Sequence, residues 1–132
     1  MHRLAGIEMK KTVALLICGV LAGCGPSVNP RSLPPAETFT SERTASEVAQ
    51  CLRPALSAGV SRQTIGHVEF EQHMIDVGQY DLVPTGEVIY GHYTFTAHVE
   101  QRANGSTVGF YFDPIVPARI VADAKAAIVG CL

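Results

Sequence analysis

The chain has 132 residues, ten basic and twelve acidic side chains, and a formal net charge of −2 at pH 7. That length suits one small domain with flanking segments. Beyond the first 23 residues no run of Lys or Arg is present, which argues against a nucleic-acid partner and against electrostatic docking on anionic lipid.

Chain order begins with a basic lead of Arg3, Lys10 and Lys11, followed by the apolar run Val13-Ala14-Leu15-Leu16-Ile17-Cys18-Gly19-Val20-Leu21-Ala22. The run has the length of a signal-peptide core and is too short to span a bilayer, which takes about 20 apolar residues. It closes on Leu21-Ala22-Gly23-Cys24, with a Gly25-Pro26 break behind it. These residues resemble the lipobox of bacterial lipoproteins, over the first 24 positions and no further. The resemblance implies cleavage before Cys24, a diacylglycerol on the Cys24 thiol, and palmitate-type acylation of the new amino terminus. Gly25 stands where an aspartate would favour inner-membrane retention. The resemblance therefore implies outer-membrane delivery facing the periplasm, or the outer face of the plasma membrane in a single-membrane bacterium. No cofactor is expected beyond the covalent lipid. Met9-Lys10-Lys11 itself has the form of a signal start, so Met1 and Met9 are both candidate first residues.

The expected organisation is a signal over 1–23, a lipidated cysteine with a Pro-rich tether over 24–40, and a single domain over 41–132. Without residues 1–23 the chain keeps 109 residues, seven basic against eleven acidic, a formal charge of −4. Attachment must then rest on the acyl chains, of which two or three anchor stably where one is marginal. Prolines at 26, 30, 34 and 35 make the tether semi-rigid, with a reach of roughly 50 Å. Cys18 leaves with the signal and Cys24 carries lipid, so Cys51 and Cys131 remain. In an oxidising compartment they most simply form one disulfide; two buried free thiols are the alternative.

The domain opens with Thr44 and Glu47 at capping-box spacing. Val48, Cys51, Leu52, Ala55 and Leu56 follow as one helical apolar stripe. Pro54 conflicts with that helix, which should kink there or end near Arg53, with Gly59 as the latest end. His67 to Glu71 alternates with Val68 and Phe70 inward, Val77 to Val83 holds a short strand, and Pro84-Thr85-Gly86-Glu87 reads as a turn before Val88-Ile89-Tyr90. Gly91 to Glu100 alternates with period two: Tyr93, Phe95, Ala97 and Val99 on one face, His92, Thr94, Thr96, His98 and Glu100 on the other. Asn104-Gly105 is a hairpin turn, after which Val108, Phe110 and Phe112 continue the inward face. Pro117 suits a first helical position, and Ile120, Val121, Ala124, Ile128, Cys131 and Leu132 form the last apolar stripe. The expected fold class is α+β. It is a two-layer sandwich of an N-terminal helix, three to four antiparallel strands and a C-terminal helix, both helices on one sheet face and the other face polar and open to water.

Residues that could carry chemistry are few. His67, His73, His92 and His98 are the only candidates for a metal site. His92 and His98 are six residues apart on one strand face, roughly 20 Å, too far for one ion unless His67 or His73 approaches from a neighbouring strand. Glu69 and Glu71 share a face about 7 Å apart, permissive for paired-carboxylate glycoside cleavage but equally the product of any solvated strand. No G-x-S-x-G elbow, P-loop or G-x-G-x-x-G occurs in the domain. The expectation is thus a small, lipid-anchored, non-enzymatic envelope lipoprotein that binds or has a structural part, with Cys24 as the lipidation site. Its partners are the membrane and, through the surface of Thr94, Thr96, Tyr111 and the histidines, an envelope protein. Two alternatives are an accessory subunit of a larger envelope secretion or assembly machine, and a periplasmic module for a metal or small ligand.

Overall fold

The computed structural model describes residues 29–61, 67–86, 88–89 and 91–132. The signal segment and Cys24 lie outside the described residues, as do Glu87 of the expected turn and Tyr90 of the strand after it. A short 3-10 turn, Pro30–Ser32, leads into β1 (Glu37–Ser41), α1 (Ala45–Ser61), β2 (Phe70–Asp76), β3 (Gln79–Pro84), β4 (Val88–Ile89), β5 (His92–Tyr93), β6 (Phe95–Arg102), β7 (Gly105–Phe112) and α2 (Ala118–Val129). Five strands form one antiparallel sheet in the order β1-β7-β6-β3-β2, and β4 pairs with β5 as a separate ribbon. The protein is mixed α+β, with five strands in its main sheet rather than three to four. The additional edge strand β1 lies where the tether was expected to end: residues 37–41 pair with β7, from Glu37 opposite Phe110 to Ser41 opposite Ser106. Thr38, Phe39 and Thr40 favour extended backbone, and Phe39 packs against the core.

The start of α1 follows from its sequence. Thr44 Oγ1 accepts from the Glu47 N–H at 3.3 Å, while Glu47 Oε2 accepts from the Thr44 N–H at 2.9 Å. This reciprocal box satisfies two donors that a helix end leaves open. α1 does not end near Arg53 but runs through Pro54 to Ser61, two residues past the expected limit at Gly59. Pro54 and Arg53 are exposed, as is Gln50, whose carbonyl the proline deprives of a donor. Val48, Leu52, Leu56 and Val60 are buried on the opposite side and hold the helix on both sides of the proline.

One core cluster joins both helices to the sheet: Val48, Leu52 and Leu56 of α1, Leu82, Ala97, Val99, Val108 and Phe110 of the strands, and Ile120, Ala124 and Ile128 of α2. The expected inward positions Phe95, Ala97 and Val99 are all in it. Pro117 caps α2 rather than occupying its first turn. Cys51, Ala55 and Gly59 recur every four residues along α1, and this row of small side chains lets α2 come close. A Cβ on Gly59 would lie 3.4 Å from the Asp123 carbonyl oxygen and 3.6 Å from Cβ of Ala127. Cys51 and Cys131 close the other end of the contact with a disulfide, Cα atoms 5.7 Å apart. Arg43 Nη1 donates to the Cys131 carbonyl oxygen at 3.0 Å and secures the chain end beyond it.

The second sheet face departs from the sequence expectation. His92, Thr94 and Thr96 were to be open to water; they are 7%, 4% and 3% exposed. A bend at Thr94 separates β5 from β6, so Tyr93 leaves the core stripe and its ring instead meets that of His73 at 6.5 Å. Asp113 ties the loop after β7 to this region: its N–H donates to the Thr94 carbonyl oxygen at 2.9 Å, and its carboxylate meets His92. Farther along the same face, the 3-10 turn sits over β7, whose Tyr111 lies opposite Thr96. Simple alternation places a side chain on a face but does not say what the rest of the chain lays over that face.

Candidate functional site

The polar groups of the second face form a row across four strands. His73 of β2 is opposite Asp81 of β3, Asp81 opposite His98 of β6, and His98 opposite Gly109 of β7. Cross-strand neighbours on one face are close enough for their side chains to interact. Here His98 Nδ1 lies 2.7 Å from Asp81 Oδ1, with both side chains largely buried. Arg31 reaches the same carboxylate oxygen at 3.5 Å. Its guanidinium carbon lies 4.5 Å above the Tyr111 ring, a cation–π arrangement.

Gly109 makes room for this arrangement. A Cβ there would come within 3.2 Å of the Tyr111 ring and 3.5 Å of Pro35. Pro30 is buried, and the Ala36 N–H donates to the Phe110 carbonyl oxygen at 2.9 Å as the segment turns into β1. Residues 30–36, read from sequence as part of a free tether, are therefore seated on the sheet. Their anchor is a cation held by one carboxylate and one aromatic face. A carboxylate on one imidazole nitrogen fixes the tautomer and orientation of that ring, so Asp81 positions His98 as well as Arg31.

The four histidines named as metal candidates are not brought together. Each has its own carboxylate: His67 with Glu69 at 3.2 Å, His73 with Glu71 at 3.0 Å, His92 with Asp113 at 3.1 Å, and His98 with Asp81 at 2.7 Å. Among the described residues no group of three His, Cys, Asp or Glu side chains converges as metal ligands. His92–Asp113 is the deeply buried pair, and Asp113 Oδ1 also accepts from the Ile115 N–H at 3.0 Å. Glu69 and Glu71 are each engaged by a histidine rather than by one another. The His73 contact, helped by the Thr85 hydroxyl, holds the Glu71 carboxyl below the usual range.

Sequence reasoning did not single out Arg31, Asp81 or Asp113. Arg31 stood within a proline-rich stretch and Asp81 in a segment without clear period, so neither carried a local signal. Only the strand register reveals that Asp81 lies beside His98. Among the described residues no helix is long and apolar enough to cross a membrane. Compared with known proteins, the chain matches no protein-family model, no curated sequence and no solved structure.

Proposed function

We propose that this protein is a small bacterial envelope lipoprotein, anchored by lipid on Cys24 and displaying a non-enzymatic binding or structural domain on the periplasmic face of the outer membrane. The observation that carries this reading is the lipobox Leu21-Ala22-Gly23-Cys24 behind its short apolar run. A Cys51–Cys131 bond supports it, because such bonds persist in exported, oxidising compartments. We read the fold in finer terms as a two-layer sandwich; the single cluster shared by both helices and one sheet face supports that.

Seating of residues 30–36 changes what the anchor does. Four residues lie between Cys24 and Asn29, a contour of at most about 18 Å, instead of the roughly 50 Å expected for a free tether. The domain is then held against the bilayer surface, with its second sheet face nearest the anchor. Cys24→Ser should shift the protein from the membrane fraction to the soluble or unprocessed fraction and abolish incorporation of a clickable palmitate analogue. Unchanged labelling and fractionation of that variant would reject the reading. The machine-subunit alternative predicts a stoichiometric partner on mild crosslinking of native membranes; the metal-module alternative predicts metal in the purified protein.

A further inference from the structure

We infer that two copies of this chain associate through the free edge of β2, joining their sheets into one continuous ten-stranded sheet. β2 ends the five-stranded sheet, and among the described residues no strand lies on its far side. Its sequence, Phe-Glu-Gln-His-Met-Ile-Asp, has neither the proline nor the lysine that commonly blunts an exposed edge. Met74 and Ile75 on it are 66% and 55% exposed.

Backbone phase determines which groups are available. The Glu69 carbonyl oxygen accepts from the Thr85 N–H on the β3 side. By the alternation of an antiparallel ladder, Glu69, Glu71 and His73 turn their main-chain groups toward β3, and Phe70, Gln72 and Met74 turn theirs outward. The Phe70 N–H agrees, since it donates to Ser57 Oγ of α1 at 2.9 Å. Ser61 Oγ covers Val68 in the same way at 2.8 Å. Ser57 and Ser61 of α1 thus engage the N–H groups of Phe70 and Val68 at the start of the edge.

A two-fold pairing centred on Gln72 uses the outward groups and leaves Ser61 in place, while the Phe70 N–H passes from Ser57 Oγ to the other copy's Met74 carbonyl oxygen. Gln72 pairs with Gln72 of the second copy, and each Met74 N–H donates to the other copy's Phe70 carbonyl oxygen. In that register Glu71 faces His73 of the second copy on one side of the sheet, so each carboxylate can trade its intrachain histidine for the other copy's. On the other side Met74 lies beside Phe70 of the second copy. There an open groove of ≈ 590 Å³ runs along the edge, lined by Arg53, Pro54, Ser57 and Phe70 among others. The exposed methionine of each copy fills the groove of the other, as a closed isologous contact requires. One short strand pair with one apolar anchor per side sits at the low end of interface sizes, so we expect a dissociation constant on the order of 10 μM. This inference does not depend on the lipid anchor.

The test is sedimentation equilibrium of the full chain in detergent, for the wild type, Met74→Lys and Gln72→Pro. The wild type should show a concentration-dependent dimer. Met74→Lys places a cation against Arg53 of the other copy and should weaken the dimer at least tenfold with an unchanged circular dichroism spectrum. Gln72→Pro removes an outward N–H and should do the same. Should that proline prevent folding, Met74→Lys still decides, together with crosslinking of mixed cysteine variants. Glu71→Cys mixed with His73→Cys should form far more intermolecular disulfide than either variant alone. A wild type that stays monomeric at hundreds of micromolar would overturn the proposal and leave the edge to some other extended chain. So would a dimer indifferent to Met74→Lys, or a cysteine mixture that crosslinks no better than its components.

Discussion

Replacing Cys51 and Cys131 together by alanine is the perturbation whose size the structure sets most directly. The bond spans a sequence separation of 80. In the chain-entropy account, closing a loop of that length disfavours the unfolded state by about 4.5 kcal/mol. Cys131 is fully buried in the core cluster, so losing the sulfurs adds about 1 kcal/mol of packing. A total near 5 kcal/mol is as large as the whole stability of a marginal domain. Urea unfolding followed by circular dichroism should therefore show a much lower midpoint for the variant. Its m-value should be higher, because the released unfolded chain exposes more surface. The helices should still form before the transition, since the Thr44–Glu47 box and the buried stripes do not involve the sulfurs. Wild-type protein unfolded in reductant should behave like the variant, apart from the packing term. A midpoint difference worth less than about 1 kcal/mol would refute the argument, as would two titratable thiols per chain in the denatured, unreduced protein.

Further outcomes follow from the core, the hairpin and the cap. Phe110→Ala removes a fully buried ring stacked on Phe95 at 6.3 Å, and should cost about 3–5 kcal/mol in chemical denaturation. Thr94→Val should be neutral or slightly stabilising, because the Thr94 hydroxyl is buried without a hydrogen-bond partner among the described residues; similar losses from both substitutions would contradict the assignment of faces. Gly105 has φ of +124°, and a Cβ there would overlap the Ser41 carbonyl oxygen. Gly105→Ala should therefore separate β1 from the β6–β7 hairpin and cost several kcal/mol, roughly 3 or more, read as a lower thermal midpoint. Hydrogen bonds from the Thr44 backbone and side chain lower the folded pKa of Glu47 from 4.5. Its stabilising contribution is thus full above about pH 4.5 and is lost as pH falls through the folded value. Midpoints of the wild type and Glu47→Gln should differ at neutral pH and converge in acid; parallel curves would show that the carboxylate contributes nothing.

Much of this fold is written locally. Thr44 and Glu47 declare a helix start by spacing alone, and the structure makes both bonds of the box. Phe95, Ala97 and Val99 declare their face by alternation, and Cys51 and Cys131 were the two cysteines left to pair. What the sequence did not disclose depends on distant segments. β1 is five residues directly behind Pro34-Pro35, too short for a convincing period, and becomes a strand because β7 offers it an edge. Pro54 breaks an isolated helix but is tolerated here because tertiary contacts on both sides outweigh one missing hydrogen bond. His92, Thr94 and Thr96 have the alternation of a wet sheet face yet are buried, His92 and Thr94 where the loop of Asp113 folds back on them. The Arg31–Asp81–His98 row joins residues 50 and 17 positions apart, a juxtaposition that only the strand order creates.

Intact mass spectrometry of the mature protein, extracted from membranes with its amino-terminal peptide sequenced, tests the central proposal most directly. Lipid anchoring predicts a chain that begins at Cys24 and carries a diacylglycerol on its thiol, with or without a third acyl chain on the amine. An unmodified amino terminus at any other residue would contradict it.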